Sequence, residues 1–120
     1  MSEIKEILSK NKTIAMIGVS KDSSKPSTIV MKYMQKYGYK VIPINPSAKG
    51  EKILGEEVFG NLDEIKIPID IVDVFRPSKE AVEIAKDTVK IGAKVLWLQL
   101  GISSNEAKVI VETNNIDYVE

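Results

Sequence analysis

Hydrophobic residues along this chain follow two alternating patterns, continuous runs and helical spacing, and each change of pattern marks a boundary between predicted elements. Short apolar runs rich in valine and isoleucine are typical of buried strands. They predict five strands, over residues 13–17, 39–44, 69–75, 94–98 and 117–119. The segments between them place apolar residues three and four positions apart, which is typical of amphipathic helices. They predict helices over residues 2–11, 26–37, 79–91 and 104–114.

Local sequence signals mark where two of the predicted helices begin. Pro26 suits the first turn of the second helix, and Ser27 is expected to cap it. Ser103 and Glu106 have the spacing of a capping box that opens the fourth helix. Inside these two helices, the apolar residues expected on the inward side are Ile29, Met31 and Met34, and then Ala107, Val109 and Ile110.

The alternation of strands and helices predicts an α/β fold in one domain over residues 1–120. Short connections favour right-handed units and a parallel sheet with helices on both faces. In such folds, ligands bind outside the carboxyl ends of the strands, where the strand order switches. The residues expected at those ends are Gly18 to Ser20, Asn45 and Pro46, Phe75 to Pro77, and Gln99 to Gly101.

The connection after the first strand has the composition of a phosphate site. A glycine turn beside a helix start offers unpaired N–H groups and the positive end of the helix dipole. Serine hydroxyls and the charges of Lys21 and Lys25 add to it. The loop matches neither the Walker loop nor the G-x-G-x-x-G motif. A phosphate or nucleotide cradle and an ordinary turn with solvated lysines are both compatible with this segment.

The amino-acid composition limits which ligands and which catalytic mechanisms the chain can be expected to have. Seventeen basic residues balance 17 acidic ones, which does not favour a nucleic-acid surface. The sequence has no apolar run of membrane-spanning length and no signal peptide, so we expect a cytoplasmic protein. It also has no histidine and no cysteine, which excludes disulfides, Cys/His zinc sites and Ser-His or Cys-His catalysis. These absences favour a binding module over an enzyme.

Four polar residues stand out near the predicted strand ends. Arg76 is the only arginine, and its donor fork suits a phosphate, although a structural ion pair is the alternative. Asp73 lies in an apolar strand, where pairing with backbone N–H groups is a simpler expectation than catalysis. Asn45 occupies the place where a dinucleotide fold that binds NAD carries an acid, which counts against NAD. Gln99 is a candidate ligand contact or a simple loop amide.

Several longer motifs together resemble one family. They are I-G-V-S at 17–20, K-P-S at 25–27, G-Y-K-V-I-P-I-N-P at 38–46, I-L-G at 53–55, D-I-V-D-V-F-R-P at 70–77 and G-A-K-V-L-W-L-Q-L-G at 92–101. In this order they resemble the small single-domain CoA-binding proteins. The fold of that family is similar to the CoA-binding amino-terminal domain of the succinyl-CoA synthetase alpha subunit.

This resemblance implies a Rossmann-like, three-layer fold with five parallel strands in the order 3-2-1-4-5. It implies coenzyme A as the ligand, held across the strand ends. The residues that match the family's binding positions are Gly18, Val19, Ser20, Lys25, Pro26, Ser27, Asn45, Pro46, Val74, Phe75, Arg76, Gln99 and Gly101.

The sequence departs from the family's pattern in two places. A basic residue often follows the Asn-Pro pair in the family, and here it is Ser47, with Lys49 as the next lysine. Family members usually continue past the fifth strand with a cysteine and a histidine, so the chain is expected to be shortened at its C-terminus. We expect a protein that binds CoA or an acyl-CoA without catalysis. The alternatives are an NAD(P)- or acyl-CoA-processing enzyme and a subunit of an acyl-CoA ligase.

Overall fold

The computed structural model describes residues 2–99 and 101–120. The helices are α1 (Ser2–Lys10), α2 (Pro26–Lys36), α3 (Ala81–Ile91) and α4 (Asn105–Thr113). The strands are β1 (Thr13–Ile17), β2 (Lys40–Ile44), β3 (Lys52–Ile53), β4 (Glu56–Glu57), β5 (Ile71–Val74), β6 (Val95–Leu98) and β7 (Asp117–Val119). The predicted α/β fold with a five-stranded parallel sheet is confirmed, and a small hairpin of β3 and β4 is added to it.

The main sheet has the order β2-β1-β5-β6-β7, with every neighbouring pair parallel. Beyond β2, a parallel bridge joins Ile44 to Phe59 and adds one more position to that edge. With this bridge counted as the third position, the order reads 3-2-1-4-5-6, which contains the predicted 3-2-1-4-5 pattern. The segment predicted as the third strand, residues 69–75, therefore lies beside β1, because Phe59 precedes it in the chain and already occupies the edge.

Helices cover both faces of the sheet, because successive strand residues point to opposite sides. Val72 faces α3 and α4, where it belongs to the same buried cluster as Ala85 and Val111. Its neighbour Ile71 faces the other way and belongs to the cluster that contains Met31 of α2. Each face thus has a dry core, which fixes the register of the strands and the position of their ends.

Two residues predicted to face the core, Ile29 and Val109, are instead exposed at 56% and 64% of their surface. In α2, the buried side is formed by Met31, Met34 and Thr28. Thr28 can be buried because its hydroxyl donates a hydrogen bond of 2.6 Å to the Ser20 carbonyl oxygen. In α4 the residue that faces the core is Val111, four residues after the buried Ala107. None of the helices in the described chain is long and apolar enough to cross a membrane.

The start of α4 differs by one residue from the prediction. Ser104 is the cap, and its hydroxyl oxygen accepts a hydrogen bond of 3.1 Å from the Ala107 N–H. The backbone N–H of Ser103 instead donates to the hydroxyl oxygen of Ser78 at 3.1 Å. Glu106 is then the second residue of the helix, one position too early for a capping box, so that prediction was wrong.

The outer side of β2 is covered by an irregular segment. The Phe59 N–H donates to the Pro43 carbonyl oxygen at 3.0 Å, and the Asn45 N–H donates to the Phe59 carbonyl oxygen at 2.9 Å. Pro43 has no N–H to offer to a full ladder, so this short pairing suits a strand that carries a proline. The pairing also fixes the loop after β2 close to the end of the strand.

Candidate functional site

A groove of about 460 Å³ opens at the C-terminal ends of β1, β2 and β5. Its walls include the Gly18 turn after β1, Asn45 and Pro46 after β2, and Arg76 after β5. The strand order reverses between β1 and β5, so the following connections leave in opposite directions and open a crevice. The volume lies in the usual range for small-molecule pockets.

Another groove of about 460 Å³ lies at the opposite end of the sheet, between α1 and β7. Its walls are mostly charged surface residues such as Glu6, Lys10, Lys94 and Asp117. The described residues that line it include no glycine and no first-turn residue of a helix, so the groove lacks the features that concentrate anionic ligands in α/β proteins. We therefore place the candidate site at the C-terminal ends of the strands.

Gly18 allows the chain to turn sharply at the base of the groove. It adopts a left-handed backbone with φ of 92°. Its N–H donates to the Ile44 carbonyl oxygen at 2.9 Å, which ties the end of β1 to the end of β2. A Cβ at this position would lie 2.9 Å from the Phe75 carbonyl oxygen and 2.9 Å from the Arg76 Cδ. The close approach of β1 and β5 at the crevice therefore requires glycine.

Ser27 holds the loop against α2 and does not cap the helix. Its hydroxyl oxygen accepts a hydrogen bond of 3.1 Å from the Ser20 N–H. The N-cap position is taken by Lys25, whose side chain makes no capping hydrogen bond, and Pro26 occupies the first turn as predicted. The first turn of α2 contains no acidic residue. The first turn of α2 therefore adds no carboxylate that would offset the positive end of the helix dipole.

Asn45 joins two loops around the groove. Its amide nitrogen donates to the Val19 carbonyl oxygen at 2.9 Å, and its amide oxygen accepts from the Ser47 N–H at 2.9 Å. Both sides of the side-chain amide are thus used to hold the backbone. An aspartate here would lack the donor to Val19, which gives the amide a structural reason in addition to the argument against NAD.

Arg76 forms an ion pair with Glu80, one helical turn further along the chain. The two hydrogen bonds join Nε to Oε1 at 3.1 Å and Nη2 to Oε2 at 2.7 Å. The hydrogen bond from Arg76 lowers the pKa of Glu80. The side chains are 47% and 37% exposed, so this pair is open to water. The arginine is neither unpaired nor bound to a buried acid, and an anionic ligand would have to compete with one carboxylate for it.

Asp73 is fully buried in β5. Its Oδ1 accepts a hydrogen bond of 2.5 Å from the Gln99 side-chain nitrogen, and its Oδ2 has no partner among the described residues. Burial raises the pKa of Asp73 to about 7, with the hydrogen bonds from Gln99 and the Val74 N–H acting in the opposite direction. The expected pairing with backbone N–H groups alone was therefore wrong, because the amide of Gln99 reaches the carboxyl group.

The structure brings five of the predicted binding residues to the groove surface: Gly18, Ser20, Asn45, Pro46 and Arg76. Val19 and Val74 are fully buried and support the groove from within. Phe75 ties β5 to β1, since its N–H donates to the Ile17 carbonyl oxygen at 2.9 Å. The remaining predicted residues lie outside the groove walls, at the start of α2 or after β6, and they are Lys25, Pro26, Ser27, Gln99 and Gly101.

Sequence reasoning missed two parts of the groove wall, and the first is formed by Gly60, Asn61 and Leu62 in the segment before β5. The second is formed by Glu80, Ile84 and Asp87, which line the groove from α3 and the turn before it. Their spacing of four and then three residues places them on one side of a helix, a signal that was present in the sequence. Burial, followed by the charges of Asp63 and Glu83, raises the pKa of Asp87. Residues 2–99 and 101–120 contain no cluster of acidic side chains that could hold a metal ion.

The comparisons with known proteins give one family model and several similar proteins. A family model described as CoA binding domain matches residues 12–120. The uncharacterized protein YneT of Bacillus subtilis is 42% identical over 106 residues, which cover 88% of this chain and 77% of that protein. A solved structure, cell-free ID.343 from Thermus thermophilus, has a TM-score of 0.92 at 36% identity and covers 98% of this chain and 88% of its own.

A larger enzyme shows a partial similarity. The acetate–CoA ligase (ADP-forming) of Methanocaldococcus jannaschii is 29% identical over 83 residues. The alignment covers 69% of this chain but only 12% of the ligase. The similarity is therefore confined to a small part of that enzyme.

Proposed function

This chain belongs to the CoA binding domain family, and from that premise we propose that it binds CoA or an acyl-CoA at the C-terminal ends of β1, β2 and β5. The observation that carries the proposal is the groove between the Gly18 turn and Arg76, at the place where the strand order reverses. The family match suggests the ligand, and the groove, which follows from the topology of the sheet, offers a place where it can bind.

The residues around the groove fit a ligand with phosphate groups. Arg76 offers a planar donor fork, and the α2 start adds a positive dipole end without an acid in its first turn. Lys25 stands exposed at the N-cap of that helix. The apolar side chains of Ile17 and Ile44 line the same groove and suit the adenine ring. Phosphate donors and an apolar base pocket are therefore adjacent.

We further propose that the chain has no catalysis of its own. With no histidine and no cysteine in the sequence, the remaining titratable group at the strand ends with a pKa near neutrality is Asp73. Its carboxyl group is buried and held by Gln99, which leaves it without access to a substrate in the groove. A role as part of an acyl-CoA ligase remains the second candidate, favoured by the partial match to the acetate–CoA ligase.

Calorimetric titration with CoA, and with NAD at equal concentration, tests the proposed ligand. A ligand that binds only the folded chain stabilises it by about 2.7 kcal/mol at a hundredfold excess over its dissociation constant. We expect CoA to bind and to raise the melting temperature, and NAD to do so much less. A larger effect of NAD would contradict the proposal, and a mass spectrum of ligand that co-purifies with the native protein checks the identity directly.

The absence of catalysis is tested with acetyl-CoA and succinyl-CoA. We expect the purified protein to release no thiol above a buffer control over hours. Sustained release that disappears in an Asp73→Asn variant would show that the chain is an enzyme. Release that appears only after a partner protein is added would instead support the role as a ligase subunit.

A further inference from the structure

The Asp73–Gln99 pair is an isolated polar contact at the end of the sheet. Asp73 is in register with Met16 of β1 and Trp97 of β6, so its neighbours across the strands are apolar. Its Oδ2 is the single described buried side-chain atom without a hydrogen-bond partner. Gln99 is half-buried, directly after β6, and its backbone N–H donates to the Val74 carbonyl oxygen at 3.1 Å. The amide is thus fixed both through its backbone and through Asp73.

The chemistry of this contact decides which way the Gln99 amide points. A carboxyl oxygen that carries no proton can only accept a hydrogen bond, and this holds for Oδ1 also when the proton of Asp73 is on Oδ2, whereas an amide has a donor end and an acceptor end. Asp73 therefore selects the nitrogen end of Gln99, as the Oδ1 contact shows. The oxygen end is directed away from Asp73 and accepts no hydrogen bond from residues 2–99 or 101–120. Within the described part of the chain, the Gln99 side-chain oxygen is therefore a fixed acceptor without a donor at the C-terminal edge of the sheet.

We propose that Asp73 is a positioning residue, which orients Gln99 so that its side-chain oxygen accepts a hydrogen bond from an amide N–H of the ligand. This inference rests on the proposed function. The groove at β1, β2 and β5 takes the nucleotide end of CoA, and the longer pantetheine arm continues over the ends of β5 and β6. That arm contains two amide N–H donors, and adenosine 3′,5′-bisphosphate lacks both. Gln99 then contacts the arm and not the nucleotide.

Burying the Asp73–Gln99 pair in an apolar core costs free energy of folding, and a purely structural role would not explain why the pair is there. An aspartate in an apolar core is disfavoured by desolvation, and a well-packed apolar residue is often as stable or more stable at such a position. The pair adds order to one side chain, and fixing a rotamer before binding removes part of the entropy loss of association. Orientation of Gln99 gives the buried carboxyl group a function.

The test compares CoA with adenosine 3′,5′-bisphosphate in calorimetric titrations of the folded protein. Asp73→Leu removes the acceptor and leaves Gln99 without a fixed orientation, so we expect CoA affinity to fall about three- to tenfold. Affinity for the bisphosphate should stay within twofold. Asp73→Asn keeps a carbonyl acceptor for Gln99, so it should restore CoA affinity to within about twofold. In a Gln99→Leu background, Asp73→Leu should produce no further loss of CoA affinity.

Asp70→Asn is the matched control, because Asp70 lies just before the same strand at the opposite end of the sheet. Its Oδ2 accepts hydrogen bonds from the Lys12 and Thr13 N–H groups, so the variant should be less stable but bind CoA unchanged. An Asp73→Leu variant that keeps full CoA affinity, or that loses both ligands equally, would overturn the positioning role. Failure of the native protein to bind CoA at all would instead refute the proposed function, and this inference with it.

Discussion

Gly18 lies directly against Phe75, so that a single methyl group on Gly18 would stand 2.9 Å from the Phe75 carbonyl oxygen. This contact joins the turn after β1 to the end of β5, across the point where the strand order reverses. The groove and the close approach of the two strands therefore depend on the same residue. Gly38 provides a comparison, because its φ of 90° is nearly identical and a Cβ there would meet nothing within 4 Å.

Gly18→Ala should destabilise the protein more than Gly38→Ala. Both variants force alanine into a left-handed backbone, which costs about 1–2 kcal/mol. Only Gly18→Ala adds a collision with backbone atoms, so its loss in urea unfolding should be larger by at least about 1 kcal/mol. Its CoA affinity should also fall, whereas Gly38→Ala should bind normally. Equal losses of stability in the two variants would show that the contact with Phe75 is easily relieved.

Arg76→Ala should weaken CoA binding with little effect on folding. A hydrogen bond to a charged group contributes roughly 1.5–3 kcal/mol, which is the expected loss in binding free energy. The pair with Glu80 is solvent-exposed, so the free energy of unfolding should change by less than about 1 kcal/mol. Calorimetric titration and a urea melt of the same variant measure the two quantities. A large loss of stability with unchanged affinity would assign Arg76 a structural role.

Glu80→Gln tests the competition for Arg76 from the other side. The variant keeps a hydrogen-bonding side chain but removes the negative charge that faces the ligand in the groove. We expect CoA to bind roughly three- to tenfold more tightly at low salt, with the advantage shrinking as salt is added. Weaker binding would mean that Glu80 holds Arg76 in the orientation that the ligand needs.

The buried Asp73 predicts an unusual dependence of stability on pH. Its folded pKa of about 7 lies above the unfolded value of about 3.9. Between these values the folded chain holds a proton that the unfolded chain has released, so the free energy of unfolding falls as pH rises from about 4 to about 7. Asp73→Asn should remove this slope and be more stable than the native protein at pH 8, by a few kcal/mol at most. Parallel pH profiles for the two proteins would contradict the raised pKa.

Ser104→Ala should cost about 1 kcal/mol of stability, because it removes the cap of α4. Ser103→Ala should cost much less, since its contact to Ser78 uses the backbone N–H and survives the substitution. Thermal melts of the two variants compare neighbouring serines in one loop. The reverse order would place the helix start at the residue that the sequence pattern indicated.

The strands were predictable because short, continuous apolar runs rich in β-branched residues are a strong local signal, and β1 and β7 have the bounds predicted for them. Helix faces were harder. Ile29 is more hydrophobic than Thr28, yet Thr28 is buried because a distant carbonyl satisfies its hydroxyl. That partner, Ser20, is eight residues away, and no count of apolar spacing includes it.

The ends of the strands could be predicted from the chain order, and they gave five residues of the groove. The wall from α3 was not predicted, because the way in which a helix leans over a sheet depends on tertiary packing. The bond between Asp73 and Gln99 joins residues 26 positions apart, and it follows from the parallel pairing of β5 and β6. The contact between the carboxyl group and the amide can be recognised only once the register of β5 and β6 is known.

The covering of β2 by Phe59 also limits how another chain could pair with this edge of the sheet. An open edge strand is a template for another chain, and edge-to-edge growth leads to aggregates. Here Pro43 and Asn45 already exchange hydrogen bonds with Phe59 on one edge, and the opposite edge, β7, is only three residues long. The segment before β5 thus covers the edge of the sheet at β2. Shortening it would leave β2 open and should make the chain prone to aggregation even where the groove is intact.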